Sequence, residues 1–314
     1  MKAIDIVLPV YNEEEGLRAF HTRLMHVLDS LSSSYQFKMI YVLDRSRDRS
    51  LEVLRELAAA SPSVMVLHLS RRFGHQMSLI AGMDRASGNA VIMMDCDLQH
   101  PPEVIPELLR RFEEGFEVVQ TLRKYDQRVG FVKRFTSRLF YELQNRLSPV
   151  EIKEGAADFR LVSARVAALF RESIREQNQF LRGLFQWVGF RHAEVSFVSP
   201  PRAAGTTKYK PFLLFAFAIT GIVSFSKVPL RIATLMGFAM ATLSAVYGAW
   251  LVMKYFVGGY FPPGFASLIL VLLATSGLQL MFLGIVGEYL GSVFDEVKRR
   301  PLYVIDEIIE GGSR

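Results

Sequence analysis

Cysteine is almost absent: Cys96 is the single one in 314 residues. An internal disulfide is therefore excluded, and the chain suits a reducing compartment. No strand-like run is followed by Gly-X-Gly-X-X-Gly, which argues against a dinucleotide-binding dehydrogenase. No Gly-X-X-X-X-Gly-Lys-Ser/Thr loop occurs, which argues against a P-loop NTPase. There is no internal repeat and no low-complexity tract, so repeat architectures and composition-driven disorder drop out. Met1 to Asp5 leads directly into a strand-like run, so no secretory leader is expected. Charge is missing altogether from two long stretches, Ile232–Met253 and Phe265–Gly287.

What is present is an apolar, basic chain. Half of it is hydrophobic, the formal net charge is +6, and the mean hydropathy is +0.21. A basic balance suits nucleic acid, a membrane surface or a phosphorylated partner. The apolar excess lies after residue 210, which favours the last two, and no nucleic-acid partner is expected.

The first 200 residues alternate between two periods. Apolar runs at Ile4–Val10, Phe37–Leu43, Val64–Leu69 and Ala90–Met94 read as buried strands. Between them, Leu17, Phe20, Leu24, Val27, Leu28 and Leu31 keep helical spacing, as do Leu51, Val53, Leu54 and Leu57, the latter after a cap at Ser46 or Asp48. Arg71–Gln76 reads as a basic loop before a helix over 77–86. Further helices are expected over 106–116 and 132–147, with strands over 117–122 and 194–198. Gly155–Leu161 reads as a turn into the next element. Strand–helix alternation implies an α/β fold with a mostly parallel, doubly wound sheet.

The chemistry concentrates in Asp95-Cys96-Asp97-Leu98-Gln99-His100-Pro101-Pro102-Glu103. It follows the fourth strand, and Pro101-Pro102 stops regular pairing, so the acidic pair sits at a strand's carboxyl end, where open α/β sheets bind ligands. In an extended chain, residues i and i+2 point the same way. Asp95 and Asp97 then aim two carboxylates at one point, the donor set of Mg²⁺ or Mn²⁺ sharing its shell with phosphate and water. Gln99 would add a carbonyl oxygen, and Cys96 would face away. Arg71, Arg72, Arg123 and Lys124 are expected in loops on the same side of the sheet.

After the basic linker Pro200–Lys210, Phe212–Phe225 is too short to span and reads as an interfacial helix. The two uncharged stretches are long enough to cross a bilayer. Lys208, Lys210, Lys227 and Arg231 precede the first, and Lys298-Arg299-Arg300 follow the second. Both termini are then expected on the cytoplasmic side. The domains expected are a catalytic unit over 1–210, a juxtamembrane helix over 211–230, a two-helix anchor over 231–291 and a tail over 292–314.

With these motifs in hand, the chain resembles the family 2, GT-A-fold glycosyltransferases. More closely, it is similar to the bacterial polyprenyl-phosphate (bactoprenol) glycosyltransferases, relatives of dolichyl-phosphate mannose synthase. The likeness rests on Leu8-Pro9-Val10-Tyr11-Asn12-Glu13, the Asp95–Glu103 stretch, Asp158-Phe159-Arg160-Leu161, Arg202 with Gly205-Thr206-Thr207-Lys208-Tyr209, and Gly287-Glu288-Tyr289-Leu290-Gly291 leading to Arg300-Pro301-Leu302-Tyr303. It implies transfer, with inversion, of one sugar from a nucleotide sugar, UDP-glucose in the first place, to a polyprenyl phosphate. The setting would be the bacterial inner membrane, and the assembly an oligomer, a tetramer by analogy.

The resemblance also implies roles. Pro9, Tyr11, Glu13 and Asp44 would line the nucleotide pocket. Asp95, Asp97 and Gln99 would hold the metal on the diphosphate, and Arg123 would meet the donor phosphates. Asp158 would act at the acceptor side with Asp97 as the other catalytic carboxylate. Arg202, Lys208 and Arg134 would hold the lipid phosphate, although basic residues beside a membrane also attract anionic lipid generally. A lipid phosphate is largely dianionic at neutral pH, so Asp158 is expected to orient the acceptor or stabilise positive charge on the sugar more than to act as a base. Two departures stand out. Leu43-Asp44-Arg45-Ser46 replaces the family's usual acidic or amide pair followed by Gly-Ser. Gln179-Phe180-Leu181-Arg182 ends in Gly183 where processive synthases carry Trp, which favours single transfer. Transfer of formamido-arabinose, or an inactive membrane scaffold, are the alternatives.

Overall fold

In the computed structural model, residues 1–124, 155–198, 226, 228–257 and 264–312 are described. The expected helix over 132–147 with Arg134, the linker with Arg202 and Lys208, and the interfacial helix over 212–225 lie outside them.

The elements run β1 (Lys2–Val10), α1 (Leu17–Leu31), β2 (Tyr35–Leu43), α2 (Ser50–Ala60), β3 (Val64–Leu69), α3 (His75–Arg85) and β4 (Ala90–Met93). A short 3₁₀ turn (Pro102–Val104) leads into α4 (Ile105–Glu113), followed by β5 (Val118–Lys124), β6 (Ala156–Ser163), α5 (Ala164–Glu172), α6 (Leu181–Trp187) and β7 (His192–Val198). Two long helices, α7 (Val228–Phe256) and α8 (Phe265–Lys298), precede a last strand, β8 (Ile305–Glu310). The strands form one mixed sheet in the order β7-β5-β6-β4-β1-β2-β3-β8. β6 and β8 run against the other strands.

Alternation along β1 shows how the sheet is sandwiched. Ile4, Ile6 and Leu8 pack on the face covered by α1, α2 and α4, and Val7 on the face covered by α3, α5 and α6. α3 lies close because Gly82 has no side chain: a Cβ there would stand 2.2 Å from Val7 Cγ1. Pro9 is buried in this central strand. The backbone of Val7 faces β4, accepting from Met94 N–H, so Pro9, two residues on, faces the same way. The β4 ladder has ended at Val7–Met93 by then, and the missing N–H costs no sheet bond.

Four expectations change. His75 and Gln76 open α3 and are not part of the preceding loop. Residues 156–163 are strand, not turn, and Arg123 and Lys124 belong to β5. Residues 305–310 add an edge strand beside β3, where a tail was expected. α7 and α8 each contain a stretch long and apolar enough to cross a membrane. Leu235, Phe238 and Leu243 on α7, and Leu268, Leu280 and Leu283 on α8, are largely exposed. Apolar faces of that extent demand a cover.

Candidate active site

The carboxyl ends of β1 and β2 carry two loops laced together. Asn12 takes a left-handed conformation, φ +53°, which asparagine tolerates. Its N–H donates to Ser46 Oγ (3.0 Å), and its Oδ1 accepts from Arg47 N–H (2.9 Å). Glu13 N–H donates to Ser50 Oγ, and Glu14 N–H to Asp48 Oδ2. Asp48 also receives Ser50 N–H at the start of α2, but the N-cap position of the helix is Arg49 and not the Ser46 or Asp48 expected. The Arg72 guanidinium lies 4.3 Å from the Tyr11 ring centre.

Asp44 is buried. Its Oδ1 accepts Phe73 N–H (2.7 Å) and its Oδ2 accepts Gly74 N–H (2.9 Å). Asp44 therefore builds the β3–α3 loop, and it was expected to line the nucleotide pocket. Arg45 Nη1 donates to Ser70 O at 2.7 Å in the same loop, while Leu43 is in the core. The unusual Leu43-Asp44-Arg45 triplet thus has a structural reading: apolar packing followed by two side chains that hold one loop.

Beyond Met93 the chain leaves the extended conformation that motivated the i, i+2 argument. Leu98 has φ +61°, uncommon for a branched side chain, and Asp97 Oδ1 accepts Gln99 N–H at 3.0 Å. His100 is buried, stacks on Phe159 at 5.4 Å and meets Phe197 edge-on. Its Nδ1 accepts Asp95 N–H at 2.9 Å, so the proton of the neutral ring is on Nε2. Burial pushes its pKa down. The 3.6 Å approach of Nδ1 to Asp95 Oδ2 is then proximity and not an ion pair. His75, in the first turn of α3, stands 2.7 Å from Asp95 Oδ1 through Nε2. Burial disfavours charge on both partners, yet their attraction wins, raising His75 to about 9 and lowering Asp95 to about 2.

Across the sheet, the antiparallel β4–β6 ladder closes at Met93–Arg160. Asp158 lies two residues before Arg160 on β6, near enough to Asp95 for its charge to act on that carboxyl. Asp158 is 8% exposed. Arg182 grips it through Nε (3.0 Å to Oδ1) and Nη2 (2.8 Å to Oδ2), and Arg160 Nη2 reaches Oδ1 at 3.0 Å. Burial opposes its ionisation, but the two guanidiniums outweigh it and hold the carboxyl well below the usual range. Arg123, at the same edge, donates from Nη1 to Gln99 Oε1 at 3.2 Å.

The fold therefore gathers Asp95, Asp97, Gln99, Arg123 and Asp158 at one edge. Sequence reasoning did not find His75, His100, Arg160 or Arg182 as parts of it. His100 and Arg160 lay inside quoted motifs, and Arg182 inside the Gln179–Gly183 comparison, but nothing local marks them as partners of Asp95 or Asp158.

Among the described residues, no group of three or more His, Cys, Asp or Glu side chains is arranged to hold a metal. The donor set fits a hard cation that takes its remaining ligands from phosphate and water. Asp97 Oδ1 receives one backbone N–H and its other oxygen has no bond among the described residues, while Asp95 is held as a carboxylate. Gln99 Oε1 is already engaged by Arg123.

Residues 5–170 match the family model described as Glycosyl transferase family 2. The chain is 40% identical over 305 residues to a glycosyltransferase of Synechocystis, sll0501, covering 97% of this chain and 95% of that one. It is 37% identical over 308 residues to the SfII prophage-derived bactoprenol glucosyl transferase of Shigella flexneri, covering 98% and 99%. Among solved structures, mannosyl-3-phosphoglycerate synthase from Rubrobacter xylanophilus aligns over 71% of this chain and 73% of that one, with 15% identity and a TM-score of 0.48.

Proposed function

This chain belongs to glycosyl transferase family 2, and we propose that it transfers one sugar, with inversion, from a nucleoside diphosphate sugar to a polyprenyl phosphate at a membrane. That it is a glycosyltransferase follows from the family; the donor, the metal and the acceptor are the proposal. The name of the Shigella relative supports a glucosyl donor and a bactoprenol acceptor, with UDP-glucose as the first candidate. The two apolar helices support a membrane setting, with the sheet and both termini on the cytoplasmic side.

The observation that carries the reading is Asp158 held as an anion by Arg182 and Arg160 near Asp95. A carboxylate with three N–H donors has little affinity for a proton. It also has little freedom to form a bond to carbon, so a double displacement through Asp158 is disfavoured. A single displacement inverts the anomeric centre. The attacking group then needs to be nucleophilic without a base, which a phosphate dianion is. In this scheme Asp158 fixes Arg182 and stabilises positive charge growing on the sugar ring. Asp95 and Asp97 would hold Mg²⁺ or Mn²⁺, which supplies charge neutralisation on the departing diphosphate. Arg123 lies where it adds to that neutralisation. Tyr11 and Glu13 border the nucleotide side, with Pro9 beneath them and Asp44 shaping the adjacent loop. Arg134, Arg202 and Lys208 remain the residues proposed for the lipid phosphate.

The test is transfer of radiolabelled sugar to undecaprenyl phosphate by purified protein across UDP- and GDP-sugars, with Mn²⁺ or Mg²⁺. Labelled lipid from one donor, lost on chelation and in Asp97→Ala, is the expected result. No product from any donor, with no donor bound, would sink the proposal.

A further inference from the structure

The Arg300-Pro301-Leu302-Tyr303 motif has no part in the site described so far, yet it touches the segment that delivers Arg182. After α5, residues 173–180 run along α3 to the start of α6, where Arg182 grips Asp158. Two contacts tie this strap to the end of α8. Gln177 N–H donates to Glu296 Oε2 (2.9 Å), and Gln177 Nε2 donates to Arg300 O (2.6 Å). A third tie is shared. Asp84, near the end of α3, receives Arg175 Nη1 from the strap on both oxygens (2.8 and 2.9 Å) and Tyr303 Oη on Oδ2 (2.7 Å). Leu302 is buried in the same core as Leu181 and Leu184. At its far end the strap meets α3 again, where Leu181 N–H points at Gln76 Oε1 (3.4 Å), beside His75.

α8 is continuous over 34 residues, about 51 Å at 1.5 Å per residue. Its uncharged part ends at Gly287, after about 35 Å, which already spans a hydrocarbon core of about 30 Å. The stretch Glu288–Lys298 continues the same helix as a rigid lever to Gln177. From there, hydrogen bonds and chain continuity lead to Arg182, Asp158 and the acceptor side of the site.

We propose that Gln177 and Tyr303 are positioning residues: they clamp the 173–180 strap to the end of α8, so that the seating of the membrane helix sets how Arg182 holds Asp158. This rests on the transfer reaction proposed above and adds to it a route from the anchor to the acceptor side. The loops after β1 and β2, which border the nucleotide side, are not on this route.

The test compares Gln177→Ala, Tyr303→Phe and the double variant with wild type, as full chains in lipid nanodiscs, using the donor identified by the panel. Both kcat for lipid glycosylation and donor KM are read, with melting temperature alongside. Displacements of an ångström remote from the chemistry cost up to about a hundredfold. A fall in kcat of about tenfold is expected, with donor KM within about twofold of wild type. Each single variant should lose nearly as much as the double, because one clamp is broken either way. Transfer at the wild-type rate in the double variant would overturn the clamp while leaving the reaction intact. So would a parallel loss of donor binding, turnover and melting temperature, which is the signature of a merely structural contact. If wild type makes no labelled lipid, it is the transfer reading that fails. Gln177 is half-exposed, so Gln177→Ala keeps the test decisive should Tyr303→Phe not fold.

Discussion

Asp158 is the residue at which the electrostatics make the sharpest demand. Its folded-state pKa is depressed, so it adds stability that is present above the unfolded carboxylate value and lost only as pH falls through the folded one. In wild type it stays ionised throughout the neutral range and should give turnover no acid limb. Arg182→Ala removes its largest source of compensation and leaves a buried anion with only Arg160 and the charge of His75 beside it. Arg182 is itself more than a third exposed, so the expected cost is about 1–2 kcal/mol of stability, read by denaturant unfolding. A new loss of rate should also appear toward acid pH as the Asp158 pKa rises. A flat pH profile in the variant would show that Arg182 is not what keeps Asp158 charged. The three acidic residues of this site were legible because they sit in short motifs at predictable places. Their partners were not, because His75 is 20 residues from Asp95 and Arg182 is 24 from Asp158, distances in sequence that only the sheet and α3 close.

At the scale of elements, two glycines define how closely parts approach. Gly155 has φ +81°, and a Cβ on it would stand 2.7 Å from Arg123 O, at the point where Arg123 N–H donates to Gly155 O. Gly155→Ala should lower the melting temperature and cut turnover, because it disturbs Arg123 directly. Gly82→Ala forces α3 off β1 at a cost of up to about 3 kcal/mol, read by thermal unfolding. The central strands and their helices were legible from periodicity alone. β6 was not, because Asp158 and Arg160 interrupt its apolar run; they are tolerated there by pairing with each other. β8 was missed because Ile305-Asp306-Glu307-Ile308-Ile309-Glu310 does not alternate cleanly. The irregularity between His68 and Leu69 shifts its register, and Glu307 is held by Arg55 Nη2 at 2.7 Å.

Over the whole molecule, the sheet and the two long apolar helices are not separable modules. β8 returns after α8 to cover β3, and without it β3 becomes an unpaired edge beside an opened core, a setting that favours aggregation. A fragment comprising residues 1–226 should therefore be insoluble or aggregated on sedimentation. Supplying residues 300–312 through a flexible linker should restore a soluble monodisperse species. A soluble, cooperatively unfolding 1–226 fragment would contradict this.

The place of β8 in the chain also has a consequence in time. Domains generally fold as they emerge from the ribosome, from the amino end, at roughly 5–20 residues per second. Here the sheet begins at Lys2 and is completed at Glu310, so its last strand is translated only after both apolar helices. For several seconds of synthesis, β3 waits uncapped while α7 and α8 are made and handed to their own environment. A protein built this way completes its sheet only once both apolar helices exist, and a chain stalled before Ile305 is left without the strand that covers β3.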